Sequence, residues 1–329
     1  MDALSEVLKV VKLESAFFHN AEFSAPYSYA SPEASRLAPC ITQPPGHVII
    51  YHLLIEGRAF ARTDSERIAL VPGDIIIFPH GHAHCLESGD SCPTFDGEEY
   101  LRQIFQQGLT VSHLGGGGAT AHFICGYMAC DPDLSKVFLS GLPPVFKVNI
   151  REDESGKWLE NSIRFSVLQA HSPDAGSDAV LAKLCETLFV ETLRRYIVKQ
   201  PERQTGWLAA ALDREVGKAL ALIHSRPADP WTIATLAHEV GLSRSVLAER
   251  FRQYLGQPPV GYLTEWRLQM GAQMLGSTSY SIAQIASEVG YNSEQAFNRA
   301  FKRKFGHPPA RYRGEVRAAA PFTAAATRG

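Results

Sequence analysis

The sequence has no run of eighteen apolar residues, which excludes a membrane-spanning helix of ordinary length. Its first fifteen residues carry acidic side chains and lack the basic, then apolar, then small-residue order of a secretory signal peptide. We therefore expect a cytoplasmic protein with no membrane partner. Cysteine is also scarce, and the absence of any CxxC pair argues against a disulfide framework. The six cysteines are Cys40, Cys85, Cys92, Cys125, Cys130 and Cys185.

The 329 residues are too many for one compact hydrophobic core, so two domains are expected, or three with a helical connector. The net charge of −2 hides an uneven distribution along the chain. Residues 1–212 hold 17 Lys and Arg against 25 Asp and Glu, whereas residues 213–329 hold 15 against 9. Only the second part has a net positive charge, so a polyanion is expected to bind there.

The basic part contains an internal repeat. The stretch IATLAHEVG at 233–241 matches IAQIASEVG at 282–290 with an offset of 49, and the offset becomes 50 after the following turn. Each unit is predicted to form a helix, a tight turn and a second helix with apolar residues at i, i+4 and i+8. The pattern is that of a helix-turn-helix, and the two units are predicted at 233–252 and 282–305.

Turn and capping residues support the same interpretation. Gly241 and Gly290 stand where each first helix must end, and Ser243 and Asn292 are predicted to cap the second helices. Good helix formers fill 259–275, which would span about 25 Å at roughly 1.5 Å per residue. That length is compatible with two recognition helices about one DNA turn, or ~34 Å, apart in the major groove.

These residues resemble those of the AraC/XylS class of bacterial transcription regulators. The resemblance covers 213–314 and is carried by LAHEVGLSRSVLAERF and IASEVGYNSEQAFNRAFKRKFGHPPARYR. The closing G-x-x-P-x-x-Y-R pattern of the class is present as Gly306, Pro309, Tyr312 and Arg313. The resemblance implies a sequence-specific DNA-binding regulator, with duplex DNA and RNA polymerase as partners and transcription activation as the expected outcome.

The outward faces of the second helices are the predicted reading surfaces. Gln, Asn and Arg are the side chains that make two-pronged hydrogen bonds to base edges, so the second unit is expected to read DNA more strongly. In the first unit Ala248 offers only a methyl contact, and Glu249 requires a cytosine amine. The predicted base contacts are Arg244, Ser245, Ala248, Glu249, Gln295, Asn298 and Arg299. For Gln295 a backbone cap is the alternative.

A second group of basic residues is predicted to contact phosphates, which sets affinity and register without carrying sequence information. A merely solvated helical face is the alternative for the run at 302–304. The predicted phosphate contacts are Arg250, Arg252, Lys302, Arg303, Lys304 and Arg311.

Residues 46–125 consist of short apolar or alternating runs separated by turn residues, which predicts a β-barrel or sandwich. Gly73, Pro79, Gly81 and His84 stand in the order G-x5-P-x-G-x2-H, which resembles the second motif of the cupin barrel. The front half as a whole is similar to the cupin-type regulatory domain of one branch of the AraC family. The resemblance implies a barrel that senses an effector, followed by a segment that dimerises.

The stretch PHGHAHC at 79–85 raises the question of a metal. In the first cupin motif Gly46 and His52 fit, but Leu54 replaces the second histidine and Arg58 replaces the glutamate. Three interpretations stay open: histidines at a barrel rim that bond water and backbone, an effector pocket, or a divalent metal site. The last two would use His52 and His84, and a metal would also need Cys85 or Cys92.

The metal interpretation brings an alternative function, a cupin oxygenase or isomerase with a DNA-binding appendage. Cys125 is a candidate redox sensor because cysteine oxidation is a sensing mode among relatives, and an ordinary buried strand residue is the alternative. An apolar stripe at 178–198 predicts a helix that either covers the barrel or forms a dimer seam.

We therefore predict an α+β multidomain protein with a cupin-like β-barrel, connecting helices and an all-α domain with two helix-turn-helix motifs. The predicted boundaries are 1–176 for the sensing domain, 177–212 for the helical dimerisation segment and linker, 213–315 for the DNA-binding domain and 316–329 for a disordered tail.

Overall fold

The computed structural model describes residues 3, 5, 14–41, 46–89, 92–101, 112–130, 139, 141–169, 177–199 and 206–319. The chain divides into two compact units. The barrel unit consists of Leu13–Pro132 and Leu142–Glu202, and the helical unit consists of Met1–Lys12, Asp133–Gly141 and Arg203–Gly329.

The described strands all belong to the barrel unit, as the alternating apolar pattern predicts. They are β1 (Glu14–Ser24), β2 (Ser28–Ser31), β3 (His47–Glu56), β4 (Ala59–Arg62), β5 (Arg67–Leu70), β6 (Asp74–Phe78), β7 (His84–Glu87), β8 (Thr94–Asp96), β9 (Ser112–Gly115), β10 (Thr120–Cys130) and β11 (Phe146–Asn149).

Two sheets enclose the barrel core. One has the strand order β11-β6-β3-β10-β1-β9, and the other has the order β5-β4-β7-β2-β8. Inward-facing residues alternate along the strands, so that Ile50, Leu54, Phe123 and Phe23 all lie in one buried apolar cluster. The β-rich cupin domain predicted from the sequence is confirmed.

Three helices accompany the strands among the described residues of this unit: α1 (Ala34–Ile41), α2 (Glu154–Gln169) and α3 (Ser177–Lys199). Helix α3 closely matches the predicted stretch 178–198. It packs against β1 and β11, and the ring of Tyr196 lies 4.5 Å from that of Phe146. Its buried face includes Leu188, Phe189 and Leu193.

The helical unit contains α4 (Gly206–Leu212), α5 (Arg214–Ser225), α6 (Ile233–Val240), α7 (Arg244–Leu255), α8 (Pro259–Ser277), α9 (Ile282–Glu288), α10 (Glu294–Phe305) and α11 (Pro309–Ala319). The pairs α6–α7 and α9–α10 are the two repeated units. Helix α8 connects them with 19 residues, about 28 Å at roughly 1.5 Å per residue.

Two predicted boundaries are wrong. Trp207, assigned to a linker, is buried in the helical unit, where its indole N–H donates to the Tyr262 hydroxyl at 2.8 Å. That hydroxyl lies 2.8 Å from Nε2 of buried His224 and donates to it, so α4 is part of the DNA-binding module. At the other end α11 continues to Ala319, so the tail does not begin at 316. Residues 320–329 lie outside the described ranges.

Within the described ranges, none of the helices combines the length and apolar composition needed to cross a bilayer.

Candidate nucleic-acid interface and barrel interior

The second helix of each unit begins at a serine cap. The Ser243 hydroxyl accepts from the Val246 N–H, and the Ser293 hydroxyl accepts from the Ala296 N–H. The predicted cap Asn292 is therefore wrong by one residue. Gly241 has a left-handed φ of 75°, which ends α6 as expected, because a glycine adopts this angle without steric cost.

Apolar residues hold each second helix against its unit. Leu247 and Phe251 are fully buried in the first unit, and Phe297 and Phe301 in the second. The rings of Phe301 and the half-buried Phe305 lie 4.4 Å apart, which extends this core toward the end of α10. The opposite face of each second helix remains available to a ligand.

The second unit presents a basic and amide-rich surface. Gln295 and Arg299 are exposed, as are Lys302 and Arg303, whereas Asn298 is half-buried at the edge of the face. The ammonium of the exposed Lys304 lies 2.9 Å from the Glu265 carboxylate. A surface ion pair of this kind is weak, so Lys304 stays a candidate phosphate contact.

Arg311, on α11, forms an exposed ion pair with Glu315 at 2.8 Å. An exposed pair of this kind is weak and exchanges readily with a phosphate, so Arg311 stays a candidate phosphate contact.

The first unit presents a different surface. Arg244, Ser245 and Glu249 are exposed, and Arg252 lies 3.9 Å from the Glu249 carboxylate. Ala248 is only 8% exposed, so the predicted base contact through its methyl group is wrong. At about 100° per residue, position 248 lies beside the buried stripe, whereas position 246 lies on the outer face.

Arg250 was predicted to contact phosphate, and the structure gives it another role. Its guanidinium lies 2.9 Å from the Glu215 carboxylate and 3.3 Å from that of Asp213. Asp213 also caps α5 by accepting from the Glu215 and Val216 N–H groups. Arg250 therefore ties α7 to α5, and we remove it from the set of DNA contacts.

Comparison with known proteins identifies this module. A cupin family model matches residues 2–198, and a helix-turn-helix domain model matches residues 236–315. A putative AraC-like transcription regulator of Streptomyces antibioticus is 34% identical over 76% of this chain and 81% of its own length. The chain belongs to the AraC-like transcription regulators.

Two further relatives support the assignment. The HTH-type transcriptional regulator AlkR of Acinetobacter baylyi is 29% identical over 95% of this chain and 99% of its own length. The RCS-specific HTH-type transcriptional activator RclR of Escherichia coli is 29% identical over 83% of this chain and 87% of its own length. The protein is a DNA-binding transcription regulator, as the sequence predicted.

The two kinds of contact on α10 make separate predictions for this regulator. We expect Arg299→Ala to relax base preference by about 5- to 150-fold at one position, since a two-pronged contact discriminates by ~1–3 kcal/mol. Lys302→Ala should weaken binding to all sequences alike and reduce its salt dependence. Selection from a random duplex pool, followed by salt titration, measures both effects. An unchanged selected motif with Arg299→Ala would contradict the assignment.

Inside the barrel, a row of polar side chains crosses three neighbouring strands. His19 of β1 is directly opposite Cys125 of β10, which is directly opposite His52 of β3. All three point into the core and are buried. From the other sheet, Ser31 of β2 pairs with His84 of β7, and both are buried as well. Sequence analysis singled out Cys125, His52 and His84, and it missed His19 and Ser31.

Three of these side chains form one hydrogen-bonded chain, the Cys125–His52–His84 chain. His84 Nδ1 lies 2.8 Å from the His82 carbonyl oxygen, which can only accept, so this nitrogen carries the proton. His84 Nε2 then accepts from His52 Nε2 at 2.7 Å, and His52 Nδ1 accepts from the Cys125 thiol at 2.9 Å. Both imidazoles are neutral in this arrangement.

Burial keeps the chain neutral. It lowers the pKa of His84 to about 4 and that of His19 to about 3, and it lowers the pKa of His52 well below the usual value. His84 also stacks on Phe78 with ring centroids 3.5 Å apart. Each histidine resists protonation because a charged ring in this core would be desolvated without an anion beside it.

The same geometry argues against the metal interpretation. Two imidazole nitrogens that share a tetrahedral zinc lie roughly 3.3 Å apart, given Zn–N distances of about 2.0–2.1 Å, whereas His52 and His84 are in hydrogen-bond contact at 2.7 Å. Cys85 follows His84 along β7 and so points to the opposite face of the strand, and the Cys92 thiol bonds Ser88 and the Gly89 carbonyl, so neither predicted sulfur ligand joins the two histidines. Among the described residues, no group of three or more His, Cys, Asp or Glu is arranged to hold a metal ion.

Cys125 also fits the redox role poorly. Burial raises the pKa of its thiol far above the usual value, which suppresses the thiolate that oxidants attack. The alternative, a buried strand residue, describes its position in β10. The remaining histidines of 79–85 lie at the rim: His80 donates to the Leu142 carbonyl at 3.1 Å, and His82 is exposed.

Proposed function

We propose that the regulator is controlled by a small effector that binds inside the barrel core, which contains the polar row and Tyr27. The observation that carries the proposal is the burial of polar side chains in a core that could otherwise be wholly apolar. The Tyr27 hydroxyl, in the same core, is buried and makes no hydrogen bond among the described residues. A buried hydroxyl without a partner costs about 1–3 kcal/mol, and a bound polar molecule would recover that cost.

In this proposal the barrel senses an effector, and His52 and His84 bond each other instead of converging on a metal. The regulator acts in the cytoplasm, binds promoter DNA through α7 and α10, and contacts RNA polymerase to activate transcription. The effector favours the active arrangement through unequal affinity for the two states.

Transcription in vitro tests the proposal. With purified RNA polymerase and a promoter that carries a selected site, an extract of metabolites below ~1 kDa should change transcription at least 5-fold, the lower range for coupled sites. Tyr27→Phe removes one hydroxyl from the barrel core and should abolish the response while leaving DNA affinity unchanged.

The matched control is Tyr51→Phe, since Tyr51 lies on β3 beside His52 but faces the other side of the sheet. This variant should respond as the parent protein does. If Tyr27→Phe responded to the metabolite extract as fully as the parent protein, this would argue against an effector bound beside Tyr27.

We further propose that the regulator is a homodimer that pairs through α2. Trp158 and Phe165 are 62% and 63% exposed and lie two helical turns apart on one face. Asn161 and Ser162 lie between them, so two antiparallel α2 helices could pack each Trp158 on the partner's Phe165. Such a contact is self-complementary about a two-fold axis.

Sedimentation measures this association. The Trp158→Glu variant should sediment as a monomer at concentrations where the parent protein is a dimer, because a carboxylate would be buried in the pair. Val198→Glu is the second arm, because Val198 is exposed on α3, the other helix predicted to form the seam, and this variant should remain a dimer. Loss of the dimer with Val198→Glu and not with Trp158→Glu would place the seam on α3. Monomeric parent protein would contradict the proposal.

A further inference from the structure

The reading helix of the first unit carries an exposed apolar side chain among its polar residues. Val246 is 44% exposed, although its neighbours on this face are polar. Its backbone N–H donates to the Ser243 cap, which fixes it in the first turn of α7. The first turn of a recognition helix is the part that reaches base edges in the major groove.

Val246 lies outside the buried stripe of its unit. Leu247 and Phe251 supply the buried stripe, and Ala248 packs beside it. Val246 lies some 140° round the helix from Phe251, at about 100° per residue, on the face that also carries Ser245 and Glu249. The side chain therefore lies on the reading surface, outside the buried stripe.

The chemistry of the neighbouring groups narrows what this surface can recognise. Arg250 is held by the carboxylates of Asp213 and Glu215, and Arg252 lies near Glu249. The centre of the face therefore offers a carboxylate and two valine methyl groups where the second unit offers Arg299. The Glu249 carboxylate offsets part of the positive charge of the exposed Arg244 and Arg252, so an uncharged contact with a base can add to recognition at this surface.

We propose that Val246 reads the C5-methyl group of a thymine in the major groove. The methyl group of thymine is the one apolar feature that the four bases display there, and a valine side chain contacts it without losing a hydrogen bond. Valine is stiff about χ1, so its two methyl groups hold a fixed position on the helix. This apolar contact adds to the hydrogen bonds predicted for Arg244, Ser245 and Glu249 in the first unit.

Deoxyuridine substitution tests the proposal, because it removes the thymine methyl group and leaves base pairing intact. Each thymine of a duplex selected by the full chain is replaced in turn. For the parent protein, one replacement in the half-site that α7 contacts should lower the affinity for the duplex roughly 4-fold, as expected for the loss of one buried methyl group. Val246→Ala should bind the thymine and deoxyuridine duplexes equally well, and Val246→Thr, which keeps one methyl group, should retain part of the difference.

Val260→Ala is the matched control. Val260 is 43% exposed on α8, outside both reading helices, so this variant should show the full preference for thymine. Circular dichroism is expected to show all three variants folded, since the substituted side chains are exposed. The proposal is overturned if no deoxyuridine replacement weakens the parent protein, or if Val246→Ala keeps the same thymine preference.

Discussion

Lowering the pH from 8 to 5.5 is expected to remove about 4 kcal/mol from the free energy of unfolding of the barrel. His19, His52 and His84 have pKa values held far below 6.5 by burial. In the unfolded chain they titrate near 6.5, so below that pH the unfolded state binds more protons than the folded state. At pH 5.5 each of the three histidines therefore lowers the free energy of unfolding by roughly 1.4 kcal/mol.

The sign and the pH window distinguish this effect from ordinary acid denaturation. The contribution of these neutral histidines to the free energy of unfolding is fully present above about pH 7.5 and is lost as the pH falls through 6.5 toward 4. Carboxylates titrate at lower pH, so their effect on stability appears below this window. Urea unfolding of the full chain at several pH values, followed with a barrel-specific probe, measures the loss. In the His19→Phe variant, the loss of unfolding free energy between pH 8 and pH 5.5 should be about a third smaller.

A barrel equally stable at pH 8 and pH 5.5 would contradict the buried, neutral state of the three histidines. That state underlies both the directional Cys125–His52–His84 chain and the argument against a metal. Since single domains have ~5–15 kcal/mol of stability, the expected loss is large enough to be measured clearly.

The helical module was largely predictable because its signals are local. Caps, glycines and the i, i+4, i+8 stripe all act within one unit, and the repeat gave two independent copies of each signal. The errors arose where local spacing was insufficient. Ala248 is buried because its angular position lies near the stripe, and a helical wheel built on Leu247 and Phe251 would have excluded it and chosen Val246.

Other errors in the module came from contacts distant in sequence. Arg250 pairs with acidic residues of α5, 35 and 37 positions away, and no pattern around Arg250 itself announces them. Trp207 lies beyond the repeat, and its burial depends on Tyr262, 55 residues later. Charge and linker-like composition are poor guides in such cases because burial is decided by packing.

The barrel shows the complementary limitation. Short alternating runs predict strands, and a motif resemblance predicted the fold, but the polar row depends on strand register. His19, Cys125 and His52 become neighbours because β1, β10 and β3 pair in one particular register. A lone histidine at position 19 carries no signal until that pairing is known. The histidine-rich stretch at 79–85 predicts a site at the rim of the barrel, but only its His84 belongs to the polar row.

We propose that α7 and α10 occupy successive major grooves on one face of the duplex. Helix α8 packs against both units, and its length of about 28 Å suits grooves one helical turn apart. Insertion of five base pairs between the two halves of a selected site would rotate one half-site by about half a helical turn, to the opposite face of the duplex. Only one unit could then read its bases.

Binding of the full chain to the selected duplex, with and without this insertion, tests the claim most directly. A ten-base-pair insertion serves as a second arm of the experiment. It returns both half-sites to the same face of the duplex, but it separates them by a further turn, about 34 Å, which α8 cannot span. Both insertions should lower the affinity about 100-fold or more, because the specific contacts of one unit are replaced by non-specific ones. A loss of less than about 3-fold with the five-base-pair insertion would contradict the claim.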